Sequence, residues 1–175
     1  MPRFETPTAF SLPKPPPVAV VVSRYNAAIT DELLAAAMQA YRHAGGRAAA
    51  VTVVQAPGAF ELVPLVHAAA RCGRFAGVVA LGCIIKGETR HDEYLAHAVA
   101  HGLAHVAITT GIPVSLGVLT VDNIRQARDR AGGSHGNKGE EAMLALLQTI
   151  AEIRGLTTAR PRPAARRPAR PKGRR

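Results

Sequence analysis

Five consecutive apolar residues, Val18 to Val22, stand between a run of three prolines and a polar turn. A strand with one wetted face alternates apolar and polar residues, whereas a run without alternation is buried on both faces. Such a strand needs a covering layer on each side. Further strands are expected at 49–54, 77–85 and 114–121, and the stretches between these runs have helical spacing. After the first run, Leu33, Leu34, Ala37, Met38 and Tyr41 fall on one helical face, which Gly45-Gly46 stops. Thr30 is the expected N-cap of that helix, with Asp31 and Glu32 in its first turn, where carboxylates suit the helix dipole. Further helices are expected over 60–71, 91–109, 123–130 and 139–154. The repeated strand–helix alternation predicts a three-layer α/β/α sandwich around a four-stranded parallel sheet, joined by right-handed crossovers.

The net charge of +10 belongs mostly to one end of the chain. Residues 157–175 hold eight lysines and arginines, four prolines and no acid, so the remainder is close to neutral. With alanine as its main apolar residue, this basic tail cannot bury enough surface to offset its ordering entropy, which predicts disorder. Residues 1–17 read as a proline-rich arm without an apolar signal core, and 18–156 as a single α/β domain. Eight clustered cations make nucleic acid or another polyanion a candidate partner, the plainer alternative being a solubilising segment. Cys72 and Cys83 are too few for a disulfide framework and lack metal-ligand spacing, as expected of a reduced, cytoplasmic protein. No apolar run approaches the ~20 residues needed to span a bilayer, so no membrane association is expected.

The chemistry-bearing residues fall after the strands. The first strand delivers Ser23, Arg24, Tyr25 and Asn26; the second delivers Pro57 through Glu61; the third delivers Lys86 through His91. All would share the carboxyl edge of a parallel sheet, where such folds build sites. Gly87 and Thr89 before a helix start resemble an anion nest. At a helix N-terminus the dipole disfavours the imidazolium, which suits His91 to act as a base or proton shuttle. Each residue has a plainer reading: Tyr25 could cap the sheet edge, and Glu61 could simply meet a helix dipole. Convergence on one edge is what points to a site. His97, His101 and His105 line one helix face, and such spacing can bind a divalent metal. No acid or cysteine completes a set there, so no metal is expected, and the stripe reads as solvent-facing or as an oligomer contact. The glycine-rich segment from Arg130 to Lys138 reads as a phosphate clamp between two helices.

Five stretches, ALGCIIKGETRH (80–91), PGAFE (57–61), SRYN (23–26), PVSLGVLT (113–120) and RAG…GNKG (130–139), together resemble the 6,7-dimethyl-8-ribityllumazine synthases. The resemblance spans residues 18–155, in order. It implies a flavodoxin-like domain assembled as pentamers, and the penultimate step of riboflavin biosynthesis. That step condenses 5-amino-6-(D-ribitylamino)uracil with 3,4-dihydroxy-2-butanone 4-phosphate, without metal or organic cofactor. By motif position it implies that His91 carries protons and Tyr25 stacks on the pyrimidine. Ala59, Phe60 and Glu61 would hold the ribityl chain and ring edge, and Cys83, Ile84 and Ile85 would present backbone to the uracil. Glu88 and Thr89 would offer N–H groups to the phosphate, with Arg130 paired to it and Lys138 nearby. Leu116 and the Arg130–Lys138 segment would serve a neighbouring subunit's pocket.

The chain departs from the family pattern twice. Asp92 follows the histidine where an aromatic is usual, and Leu116 replaces a phenylalanine, which implies weaker pyrimidine stacking. The short loop at 132–136 lacks an insertion found in free pentamers, so a shell of twelve pentamers is expected, with a decamer as the alternative.

Overall fold

The computed structural model describes residues 14–158. Strands β1 (Val18–Ser23), β2 (Val51–Ala56), β3 (Val78–Ile85) and β4 (Val114–Val121) form one parallel sheet in the order β2-β1-β3-β4. The helices are α1 (Ala27–His43), α2 (Leu62–Arg71), α3 (His91–Thr110), α4 (Ile124–Asp129) and α5 (Lys138–Thr158). This is the flavodoxin-like order, with its switch point between β1 and β3.

Every residue of β1 is buried, and side-chain parity sorts the strand between two cores. Val18, Val20 and Val22 pack with Val79 and Leu81 against Leu33 of α1 and Met143 and Leu147 of α5. Ala19 and Val21 pack with Ala80 against Leu62 and Val66 of α2 and Val99 and Leu103 of α3. Full burial of one such aliphatic side chain contributes about 1.5–3 kcal/mol, so these two cores hold the three layers together.

The expected α/β/α layering is present, and the local differences have physical causes. Thr30 is not the N-cap of α1. The helix begins at Ala27, directly after Asn26, which adopts a left-handed conformation (φ 62°, ψ 42°). Thr30 is buried in the second turn, and its hydroxyl donates to the Ser23 carbonyl at 2.7 Å. Its side chain ties helix to strand. The prolines before β1 do more than punctuate: Pro15 and Pro16 are buried, and their carbonyls accept from the Tyr41 hydroxyl at 3.3 and 2.9 Å. A 3-10 turn at Ala48–Ala50 precedes β2, which runs two residues beyond the expected end.

The glycine-rich segment expected as a loop contains a small antiparallel hairpin, β5 (Ala131–Gly133) and β6 (Gly136–Asn137). The Asn137 amide donates to the Glu32 carbonyl at 3.2 Å and pins the hairpin to α1. Residues 1–13 of the arm and 159–175 of the tail, whose disorder the sequence predicts, lie outside the described residues. Among the described residues no helix is long and apolar enough to cross a membrane.

Where α5 begins, Gly139 is buried and leaves no room for a side chain, because a Cβ there would run into the backbone carbonyl of Leu33. Gly139→Ala must therefore push α5 away from α1, and we expect a loss of about 3 kcal/mol of stability. Chemical denaturation reads this directly. A midpoint equal to wild type would show that the α1–α5 contact is not constrained there.

Candidate active site

At a switch point the chain leaves two neighbouring strands towards opposite faces, and a crevice opens beyond their carboxyl ends. Here β1 leads into α1 on one face, whereas β3 leads into α3 on the other. The crevice lies between residues 23–26 and 85–91. Four hydrogen bonds hold its rim. Arg24 N–H donates to the Ala56 carbonyl (2.8 Å) and Lys86 N–H to the Val121 carbonyl (2.8 Å), linking adjacent strand ends. Tyr25 N–H donates to Ser23 Oγ at 3.2 Å. Asn26 Nδ2 donates to the Cys83 carbonyl at 2.9 Å, which bridges the crevice floor from β1 to β3.

The residues singled out from sequence fall into three groups. Tyr25 follows β1, while Ala59, Phe60 and Glu61 close the β2–α2 turn. Tyr25 is 71% exposed and Phe60 60% exposed, an unusual state for aromatics unless something covers them. Ala59 is buried. Glu61 is the N-cap residue of α2, and its carboxylate folds back over Gly58, where a Cβ would come within 2.9 Å of Oε2. Cys83 and Ile84 are buried at the end of β3, with Ile85 half-buried after them. Glu88 and Thr89 lie in the exposed connection before α3, and His91 is the first residue of that helix. No side chain caps the N-terminus of α3, so its first N–H groups are available to an anion.

The remaining residues stand apart. Arg130 is the C-cap of α4, with Nη1 donating to the Gln126 carbonyl at 3.2 Å. Lys138 opens α5, pairs through Nζ with the Glu141 carboxylate, and donates its N–H to the Arg130 carbonyl at 2.9 Å. Both cations therefore close the hairpin on the α1 side of the sheet, the face opposite α3. Leu116 is further off still. It pairs with Ala80 halfway along β4, five residues before the strand ends, or about 16 Å from the rim. It is 49% exposed on the sheet's free edge. Within one chain it does not reach the crevice.

Sequence reasoning placed Asn26 at the end of the first strand but gave it no role of its own. It is the only non-glycine residue with positive φ among the described residues, and it sits at the switch point. The available signal was an asparagine directly after an apolar strand, since Asn tolerates the left-handed region better than most residues. Burial pushes the Cys83 thiol up to about 11, so at neutral pH only about one molecule in ten thousand carries a thiolate there. Cys83 offers backbone and bulk, and no nucleophile. Among the described residues no group of three or more His, Cys, Asp or Glu side chains could hold a metal, and His97, His101 and His105 are exposed along α3.

Residues 16–154 match the family model for 6,7-dimethyl-8-ribityllumazine synthase. The chain belongs to that family. A 6,7-dimethyl-8-ribityllumazine synthase from Xanthomonas oryzae pv. oryzae is 46% identical over 132 residues, 75% of this chain and 86% of the relative. Its namesake from Xylella fastidiosa is 44% identical over 137 residues, 78% of this chain and 89% of the relative. The family match takes in every rim segment described above and ends before the basic tail.

Two measurements probe this rim. Asn26→Ala loses both the bond to Cys83 and the tolerance of positive φ, and should cost about 1–3 kcal/mol, whereas Asn26→Gly keeps the conformation and should cost less. Equal costs for both would show that the backbone conformation is unimportant. In thiol labelling at neutral pH, Cys83 should stay unreacted until the protein unfolds while exposed Cys72 reacts. Native modification of both would contradict the burial of Cys83.

Proposed function

We propose that this chain is a 6,7-dimethyl-8-ribityllumazine synthase of riboflavin biosynthesis. It condenses 5-amino-6-(D-ribitylamino)uracil with 3,4-dihydroxy-2-butanone 4-phosphate, releasing phosphate and water. The observation that carries the reading is the family match over residues 16–154. The flavodoxin-like crevice, with its uncapped helix and exposed aromatics, suits those substrates.

The roles follow from the chemistry at each position. Tyr25 stacks on the pyrimidine, and the ring edge and ribityl chain lie along Ala59, Phe60 and Glu61. The backbone of Cys83, Ile84 and Ile85 reads the uracil edge. The phosphate sits over the N–H groups of Glu88 and Thr89 at the N-terminus of α3. The substrate's amine attacks the ketone to give an imine, phosphate is eliminated, and the ring closes with loss of water. Each step moves a proton, and His91 at the start of α3 is placed to carry it, which contributes roughly 10²–10⁴-fold. Holding two reactants in register contributes at least as much, and no side-chain nucleophile, metal or organic cofactor is required.

The phosphate clamp and the Leu116 side of the ring contact come from a second subunit. Arg130 uses one guanidinium N–H on Gln126, which leaves donors for a phosphate. It lies on the opposite face from His91, and Leu116 is too far down β4 to reach its own rim. A pentamer places both against a neighbour's crevice, and exposed Tyr94 and Ile108 of α3 supply apolar surface for that contact. The short 132–136 loop favours twelve pentamers closed into a shell over a decamer. The site acts on small molecules, and the enzyme works in the cytoplasm.

Following lumazine absorbance with both substrates tests the reading. His91→Ala should slow turnover by roughly 10²–10⁴-fold, and Arg130→Ala should mainly raise the KM for the phosphorylated substrate. Leu116→Phe should lower the KM for the pyrimidine, since an added aromatic face is worth roughly 0.5–1.5 kcal/mol. Unchanged kinetics in both the His91 and Arg130 variants would overturn the assigned roles.

A further inference from the structure

The amino ends of the strands carry a second concave surface. Lys14, Arg47 and Arg154 line one open groove of about 560 Å³, whose remaining wall is Pro15 to Pro17 with two alanines. All three cations are exposed, and no carboxylate lines the groove. Among the described residues the one ion pair, Lys138 with Glu141, lies elsewhere. The three cations come from separate parts of the chain: Lys14 precedes β1, Arg47 lies between α1 and β2, and Arg154 belongs to α5. A helix dipole favours cations in a last turn, and none of these three sits in one. The fold therefore does not account for their meeting, and gathering like charges at one groove raises the energy of the free chain.

The wall between the cations is fixed and chemically silent. Prolines carry no N–H, and their carbonyls here are engaged within the fold. Those of Pro15 and Pro16 accept from the Tyr41 hydroxyl, and that of Pro17 accepts from the Ala76 N–H at 2.8 Å. Recognition is left to the ammonium and the two guanidinium groups. We propose that the Lys14–Arg47–Arg154 groove binds an oligophosphate chain, free or carried by a nucleotide, at a site separate from the crevice at the other end of the strands. Guanidinium forks match phosphate oxygens, and a lysine adds a point charge. The volume falls within the ~300–1,000 Å³ of small-molecule sites. A single phosphate brings at most about two charges to three cations, so a chain of phosphates matches them better. No aromatic lines the groove, so an attached base adds little.

Titration calorimetry of the full-length chain with inorganic tripolyphosphate, without magnesium, is the test. Arg47→Gln with Arg154→Gln should weaken binding by about tenfold or more, since each removes charge-assisted hydrogen bonds. That variant keeps all eight cations of residues 159–175, so its loss reads the groove. Its melting temperature should not fall, because both side chains are exposed and their mutual repulsion is relieved. Arg71→Gln with Arg74→Gln removes the same charge at the end of α2, on the other face of the sheet, and should bind like wild type. Arg130→Ala should also bind like wild type, because Arg130 belongs to the phosphate clamp proposed for the crevice. ATP should bind as tightly as tripolyphosphate, and adenosine should not bind. No binding by the wild-type chain overturns the proposal, as does a groove variant that binds like wild type. Equal weakening in the Arg71 and Arg74 variant would reduce the effect to net charge, and loss in Arg130→Ala would move the ligand to the crevice; either result also overturns it.

Discussion

Everything in this fold follows from the burial of β1 and β3 on both faces. Val18 through Val22 are at most 1% exposed, and Val78 through Leu81 are fully buried. A strand in that state can carry no polar side chain along its length without the full desolvation cost. Polar chemistry is therefore confined to the strand ends, and the two ends are not equivalent. At the carboxyl ends the strands meet helix N-termini, where N–H groups lack partners and anions are favoured. At the amino ends they meet helix C-termini, where cations are favoured. One sheet thus supplies two chemically opposed surfaces on one small domain.

The carboxyl end depends on a very short connection. Only three residues separate Ser23 from the start of α1 at Ala27, and the reversal is made by Asn26 in the left-handed region. The same side chain then accepts the duty of linking β1 to β3 through the Cys83 carbonyl. Thr30 adds a second tie from helix to strand. The turn that carries Tyr25 is fastened from three sides, so the exposed aromatic projects from a rigid base. Rigidity there suits a site that must hold two reactants in register.

What could be read from sequence follows the range of the interactions involved. β4 was legible to the residue, and the start of α3 at His91 as well, because a β-branched, apolar-rich run set off by Gly111 and Pro113, and helical spacing, are local signals. Thr30 misled because a hydroxyl before two acids matches a capping pattern, while its real partner is a strand carbonyl. Pro15 and Pro16 read as punctuation, since nothing local announces that Tyr41, across a whole helix, would bury them. The β5–β6 hairpin was illegible for the same reason: its two- and three-residue strands persist through Asn137 and its contact with Glu32 on another element. The rim residues follow the carboxyl ends of parallel strands, as the alternation of strands and helices implies. Arg130 and Lys138, by contrast, read as a clamp from the composition of their own segment, and Leu116 entered only through the family resemblance. No local pattern could say which surface they face.

The separation of those three residues from the crevice bears on how such a site could work. The free edge of β4 and the outer face of α3 expose Leu116, Tyr94 and Ile108, apolar groups that water does not favour. On the proposed reading, a neighbour's rim covers this edge, and the phosphate clamp and the ring's second face arrive with it. Assembly and substrate binding are then coupled by mass action, since a ligand held between two subunits binds the contact and not the separated chains. On that same reading, Leu116 in the place of an aromatic would thin the ring-facing part of the contact while keeping it apolar. A weaker hold on the pyrimidine and an intact subunit contact would then be separate consequences of one side chain, because stacking needs a π-face and burial needs only area.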